Sequence, residues 1–281
     1  MLYYNKLLYY NIFMTNRIQT YLLTLFFLVF SLISSANAEV KVVTSIKPIH
    51  SLVSYIMDGV GKPDVIVDGY NSPHGFSLKP SHAKMLENAD LVIWVGEDLE
   101  AFLEKPLETI AKKAKNIELM DLKGIKKLEF REKNIFEEHD DHKEKDGHEG
   151  HGHGEHDPHV WLDPINAKVI IKEITNQLVQ LDSKNSSIYK SNSKKALTDI
   201  DKLVKDIKKE LNKDLRFVVF HDAYQYFENR FDIQVLGALT VNTDVMPGAE
   251  QLSEIREVIE HEKVNCLFSE PQFNPAIIKS I

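Results

Sequence analysis

The sequence predicts an α/β protein of two lobes, each with a mostly parallel sheet, joined by a long connecting helix. Three observations carry that expectation. Short β-branched runs alternate with segments of helical period through residues 40–122. A charged, glycine-rich stretch at 123–157 interrupts the alternation. The strand–helix rhythm then restarts at 216, after one long amphipathic segment.

In chain order, VKVVTSI (40–46) reads as a strand. KPIHSLVSYIMDGV follows with apolar residues at 49, 52, 53, 56, 57 and 60, a helical period. Pro48 suits its first turn, and Gly59 and Gly61 suit its end. DVIVDG (64–69) is a second strand, and Ser81 is expected to cap a short helix over HAKMLENA. ADLVIWVG (89–96) is continuous and apolar, as in a sheet covered on both faces. LEAFLEKPLETIAKKA (99–114) is helical with a kink expected at Pro106, and NIELMDL (116–122) is a fourth strand.

Residues 123–157 lack apolar periodicity and predict a mobile loop. Order resumes at HVWLDP, where Asp163 is placed to cap a helix with Pro164 at its first position. A second helix runs from about Ser186 to Leu211, at ~1.5 Å per residue roughly 39 Å, long enough to bridge two lobes. RFVVF (216–220), IQVLGAL (233–239) and VNCLFSE (264–270) are strands, separated by helices over AYQYFENRF and 248–262. The expected organisation is a leader at 1–38, a first lobe at 39–184, a linking helix at 185–213 and a second lobe at 214–281. The second lobe reads as cut short, because NPAIIKSI resembles the start of a helix.

The leader has the pattern of a secretory signal. Tyr21–Ile33 is apolar, Arg17 precedes it, and Ala36 and Ala38 form a small-x-small site, so cleavage is expected between Ala38 and Glu39. The run is shorter than the ~20 apolar residues of a membrane span, so the mature chain is not expected to cross a bilayer. Met14 opens a normal leader by itself, and residues 1–13 read as an early start. The mature chain is read as an exported monomer. An apolar fraction of 43% supports a sizeable core, and the net charge of −8 argues against nucleic acid. Export implies an oxidising compartment, in which the lone Cys266 is either a buried free thiol or half of a bridge. HExxH, GxSxG and glycine-rich phosphate loops are absent, so an enzyme is not expected.

The chemistry lies in the 12 histidines. His139, His142, His148, His151, His153 and His156 crowd into the glycine-rich, acidic stretch. Imidazole suits zinc, copper and nickel, and interleaved glycine lets such a loop fold around an ion weakly and adaptably. The bland alternative is a solvated charged loop. Three other histidines stand on ordered elements: His74 in YNSPHGFSLKPS after the second strand, His159 in DPHVWLDP, and His221 at the end of RFVVF. Strand ends of α/β lobes face the ligand cleft. Three imidazoles plus a carboxylate or water match tetrahedral Zn2+. Taken singly, each is more often a surface or core residue. His50, His82 and His261 lie in helices and are not expected to ligate. Asp222 is placed either to orient a ligand as an acceptor or to cap the helix that follows, and Glu270 ends the last strand toward the same cleft.

PHGFSLKPS, ADLVIWVGEDLEAFLEK, DPHVWLDPINA, FHDAYQYFENRF and FSEPQFNP stand in order over roughly residues 40–281. In these motifs the chain resembles the zinc-binding component of bacterial zinc-uptake ABC transporters, within the metal-binding cluster of periplasmic solute-binding proteins. The resemblance implies two lobes joined by a rigid helix, capture of Zn2+ between them and delivery to an ABC-transporter membrane permease. It implies His74, His159 and His221 as ligands and Glu270 as a support beside them. The histidine-rich insertion favours zinc over manganese or iron. Two departures leave the fourth ligand open: Pro73 stands where some members carry an acidic residue, and the region of a C-terminal acidic ligand lies beyond Ile281. In similar zinc proteins a late cysteine pairs near the C-terminus, which implies the bridged alternative for Cys266. Three other functions are weighed: a manganese or iron binder of the same fold, which needs at least two carboxylate ligands; a zinc-dependent hydrolase using Glu270 or Asp222 as base; and a metal-buffering adhesin.

Overall fold

The structure is a computed structural model that describes Met14, residues 39–136 and residues 156–281, apart from 242, 244–246 and 274–275. The leader and five of the six loop histidines, His139 to His153, lie outside the described residues. Val40–Ile281 form one compact unit.

Two parallel sheets organise Val40–Ile281. The first contains β1 (Val42–Ile46), β2 (Asp64–Val67), β3 (Leu91–Trp94) and β4 (Lys115–Glu118) in the order β2-β1-β3-β4. The second contains β5 (Phe217–His221), β6 (Val235–Thr240) and β7 (Cys266–Phe268) in the order β6-β5-β7. All pairings among these strands are parallel. Every residue of the central strands β1, β3 and β5 is buried, which is why their sequences show no alternation of apolar and charged residues.

Helices complete the layers: α1 (Lys47–Met57), α2 (Pro80–Glu87), α3 (Glu97–Thr109), α4 (Pro164–Leu181), α5 (Ser186–Glu210), α6 (Gln225–Phe231) and α7 (Ala249–His261). α1 buries Ile49, Val53, Ile56 and Met57, the stripe its periodicity predicts. Each such side chain contributes about 1.5–3 kcal/mol by leaving water. The Asp163 side chain accepts from the Ile165 amide and caps α4 over Pro164, as expected. The long helix α5 has 25 residues, about 37 Å at ~1.5 Å per residue. It packs on α1 and α4, and its buried residues, Tyr189, Ser193 and Ala196, all lie in its N-terminal half. Asn192 ties it to α1 by donating to the carbonyls of Ile56 and Asp58.

Local details differ from the sequence expectation in three places. Ser81 does not cap α2, because Pro80 starts the helix one residue earlier; His82 Nδ1 instead accepts from the Lys79 amide at 3.1 Å. The break in α3 is at Glu100 (φ −123°, ψ 49°) and not at Pro106. The buried Glu100 carboxylate accepts from the Val95 and Gly96 amides at 2.8 and 3.1 Å, so the side chain folds back onto the start of the helix at the residue where the backbone leaves helical geometry.

The third difference bears on the site. Residues 123–136, expected to be the start of a mobile loop, cross from the first sheet to the flank of the second. Lys126 and Asn166 exchange hydrogen bonds of 2.8 and 3.0 Å. Farther on, the Ala238 amide donates to Asn134 O at 2.8 Å, the Phe136 amide to Leu236 O at 3.1 Å, and Ile135 bridges Gly237 antiparallel. A polar composition conceals this pairing, because the bonds come from the backbone. Gly237 is required by the approach: a Cβ there would lie 2.7 Å from Asn134 O. Gly237→Ala is therefore expected to lower unfolding free energy by about 1–3 kcal/mol, as overpacking does. Urea denaturation checks this, and an unchanged midpoint would contradict it.

Candidate metal centre

Three separate backbone features converge on one point. His221 is the last residue of β5, His159 precedes the 3₁₀ turn Val160–Leu162, and His74 lies in the connection after β2. One ring nitrogen from each lies within 4.8 Å of the other two; among the described residues they form the only such group of metal-binding side chains. His159 and His221 are buried and His74 is half-buried. The cleft around them has a volume of about 380 Å³ and includes Ile46, Trp161, Tyr224 and Glu270 in its walls.

Carboxylates decide how two of these rings face the cleft. Asp157 Oδ1 accepts from the His159 amide at 2.9 Å and lies 2.7 Å from its Nδ1. Glu270 Oε1 lies 2.9 Å from His221 Nδ1, off the line of a good hydrogen bond, and accepts from the Tyr224 hydroxyl at 3.1 Å. A carboxylate beside Nδ1 favours the proton there, which leaves the Nε2 lone pair for a metal. Both Nε2 atoms then present lone pairs to each other across 3.4 Å. Two such lone pairs repel unless a cation lies between them. Ligands ~2.0–2.1 Å from one zinc ion at the tetrahedral angle stand about 3.3–3.4 Å apart, so the span fits. Burial lowers the pKa of His221, and the charge of His159 adds to this against the opposing pull of Glu270. The ring is thereby held toward its neutral, ligating form.

Asp222, beside His221, pairs with an arginine and does not cap α6. Its carboxylate accepts from Arg131 Nη1 at 2.9 Å, and α6 begins three residues later with Tyr224 at its cap position. Arg131 also makes a bidentate pair with Glu228, at 3.0 and 2.9 Å. Burial pushes the Asp222 carboxyl up to about 6 against the attraction of Arg131, with the charges of Asp157 and Glu228 adding to the rise. The partner comes from the 123–136 segment, whose path the sequence does not reveal.

The other described histidines stand apart from the triad. His156 forms an antiparallel bridge with Glu129 at the base of the histidine-rich stretch. His50 Nε2 is 3.1 Å from Pro63 O, His82 meets the Lys79 amide, and His261 is exposed beside Glu262. Asp157, Arg131, Glu228 and Tyr224 are the contributors that the sequence reading missed. Only Asp157 left a local trace, as an acid two residues before His159.

Known proteins are similar to this chain in sequence and in fold. The family described as the periplasmic component A of the zinc-uptake complex, ZnuA, matches residues 42–281. The high-affinity zinc uptake system protein ZnuA of Brucella abortus is 41% identical over 272 residues, covering 88% of this chain and 81% of that protein. Its counterpart in Yersinia pestis is 38% identical over 254 residues, covering 87% and 79%. A crystal structure of ZnuA superposes with a TM-score of 0.72 at 23% identity, covering 86% of each chain, which supports the two-sheet fold. With nearly all of Val40–Ile281 matched, this chain belongs to the family of periplasmic A components of zinc-uptake complexes.

Proposed function

We propose that this protein captures Zn2+ through His74, His159 and His221 and delivers it to the membrane permease of an ABC importer. The 3.4 Å span between two Nε2 atoms, each with a carboxylate at the opposite ring nitrogen, carries the assignment of the site. A three-imidazole set favours zinc over manganese or iron, which prefer oxygen ligands. Water or a carboxylate completes the tetrahedron. Capture takes place in the periplasm, after removal of residues 1–38. The protein then acts as a monomer, with a first lobe over 39–184, a linking helix over 185–213 and a second lobe from 214. Nucleic acid has no part in this activity. His139, His142, His148, His151, His153 and His156 serve as an accessory collector of lower affinity.

Binding is favoured over hydrolysis because the two acids weighed as bases, Asp222 and Glu270, each already face a partner. Asp222 is paired with Arg131, and Glu270 with His221 and Tyr224. Release of the ion calls for a modest movement. Arg230 holds Asp163 through two bonds of 2.7 and 2.6 Å, and the Tyr226 hydroxyl donates to Asp157 O at 2.7 Å, so α6 is fastened to the segments that carry His159.

Competitive titration with a chromophoric chelator tests this reading on the intact protein, a form lacking residues 139–156, and His74→Ala. One tight zinc site is expected to survive loop deletion and to be badly weakened by His74→Ala. Loss of the tight site on loop deletion would overturn the assignment. Asp157→Ala, which frees the His159 ring to turn, is expected to weaken zinc about 10–100-fold in the same assay.

A further inference from the structure

A second concavity, of about 680 Å³, runs along the outer edge of β4. It is unrelated to the histidine cleft. α3 supplies Glu97, Glu104 and Glu108 to its walls, α4 supplies Glu173, and the chain at and after β4 supplies Glu118 and Asp121. Lys115 is the one cationic side chain in the lining.

The floor of this groove is a free strand edge. β4 pairs only with β3, and among the described residues no strand lies on its other side. The Lys115 and Leu119 amides donate toward β3, to Asp90 O and Trp94 O, at 2.9 and 3.0 Å. Backbone alternation therefore turns the amides of Asn116 and Glu118 outward, into the groove. Gln177 adds an independent sign of a missing ligand. It is 7% exposed and lines the groove; its amide nitrogen donates to Glu173, while its buried Oε1 has no hydrogen-bond partner. Such an acceptor calls for a donor.

The geometry chooses among cationic ligands. Among the described residues, no three carboxylates come close enough to hold one ion; only the histidine triad does. The acids are instead spread along the strand and both flanking helices, which suits an elongated polycation. Charges on an exposed edge often serve only to repel other strands. That role does not call for burying an acceptor such as Gln177 Oε1. Nor does it call for crowding Glu118, whose carboxyl is pushed up to about 7 by burial and then by Asp121, Glu97 and Asp98.

We propose that this groove docks an extended lysine- or arginine-bearing segment of a protein partner, which adds to the free edge of β4 and pairs its cationic side chains with the carboxylates of α3 and α4. Backbone bonds would supply affinity and the acids would select the sequence, the usual division in strand addition.

The test uses the mature protein and a fluorescein-labelled peptide of alternating lysine and valine, with binding read by anisotropy at low salt. Three changes are each expected to weaken binding by about tenfold or more. The first is Asn116→Pro, which removes an outward amide and keeps every acid. The second is the triple substitution Glu104→Gln, Glu108→Gln, Glu173→Gln. The third is methylation of alternate peptide backbone nitrogens, which leaves the protein untouched. Zinc affinity is expected to stay constant across both protein variants, which separates this result from the fate of the histidine site. Equal binding of the methylated peptide, equal binding of a glutamate–valine peptide, or full displacement by spermine at matched charge would each overturn strand addition.

Discussion

Replacing His221 with alanine is expected to weaken zinc binding by more than the ~10–100-fold that loss of an outer-sphere partner costs. His221 contributes one of two Nε2 atoms that face each other across 3.4 Å, and no other described side chain joins the triad to take its place. The remaining pair, His74 and His159, cannot define a tetrahedral site without two further ligands. The apo protein should lose little stability, because the substitution also removes a lone-pair repulsion. What disappears is the rise in unfolding temperature on adding zinc; a ligand at a hundred times its dissociation constant stabilises by ~2.7 kcal/mol. Chelator competition and thermal denaturation with and without zinc measure both effects. A zinc-dependent rise retained in His221→Ala would show that the ion is held elsewhere.

The largest expected loss of stability is from Arg131→Met. Arg131 spans Asp222 and Glu228, whose side chains are only 7% and 6% exposed. Removing the cation leaves two buried carboxylates facing each other, and breaking a buried pair in this way costs about 3–5 kcal/mol. For a protein of this size the thermal midpoint should fall by roughly 10 °C. Neutralising one acid as well, in Arg131→Met with Asp222→Asn, should recover part of the loss. Urea unfolding of both variants checks the claim; a single substitution within ~0.5 kcal/mol of the parent would refute it. The effect reaches the metal centre because Asp222 adjoins His221 and Arg131 fastens the segment that leads into the histidine-rich stretch.

Much of the framework is local and therefore legible in the chain. The stripe of α1, the β-branched run of β1, the unbroken apolar run of β3, and the Asp163–Pro164 start of α4 all follow from periodicity and capping within a few residues. His74, His159 and His221 could be picked out because each sits where a strand or loop opens toward a cleft, and a strand's direction is itself readable. The failures at Ser81 and Pro106 are local competitions among near-equal choices: Pro80 starts a helix as readily as Ser81 caps one, and α3 breaks at Glu100 and not at Pro106.

The arrangement around the histidines was decided by tertiary structure. Arg131 meets Asp222 and Glu228 only because 123–136 crosses between sheets, and Gly237 matters only because that segment passes over it. Asp157 lies only two residues from the histidine it serves, yet its role depends on the turn that brings its oxygen back to the ring. The sequence by itself determined which elements form and which residue types are available for zinc. Only the folded chain set the 3.4 Å span, the Glu270 carboxylate behind the His221 ring and the strand order that leaves β4 at an edge, because each depends on how segments far apart in the chain come together, and periodicity carries no information about that.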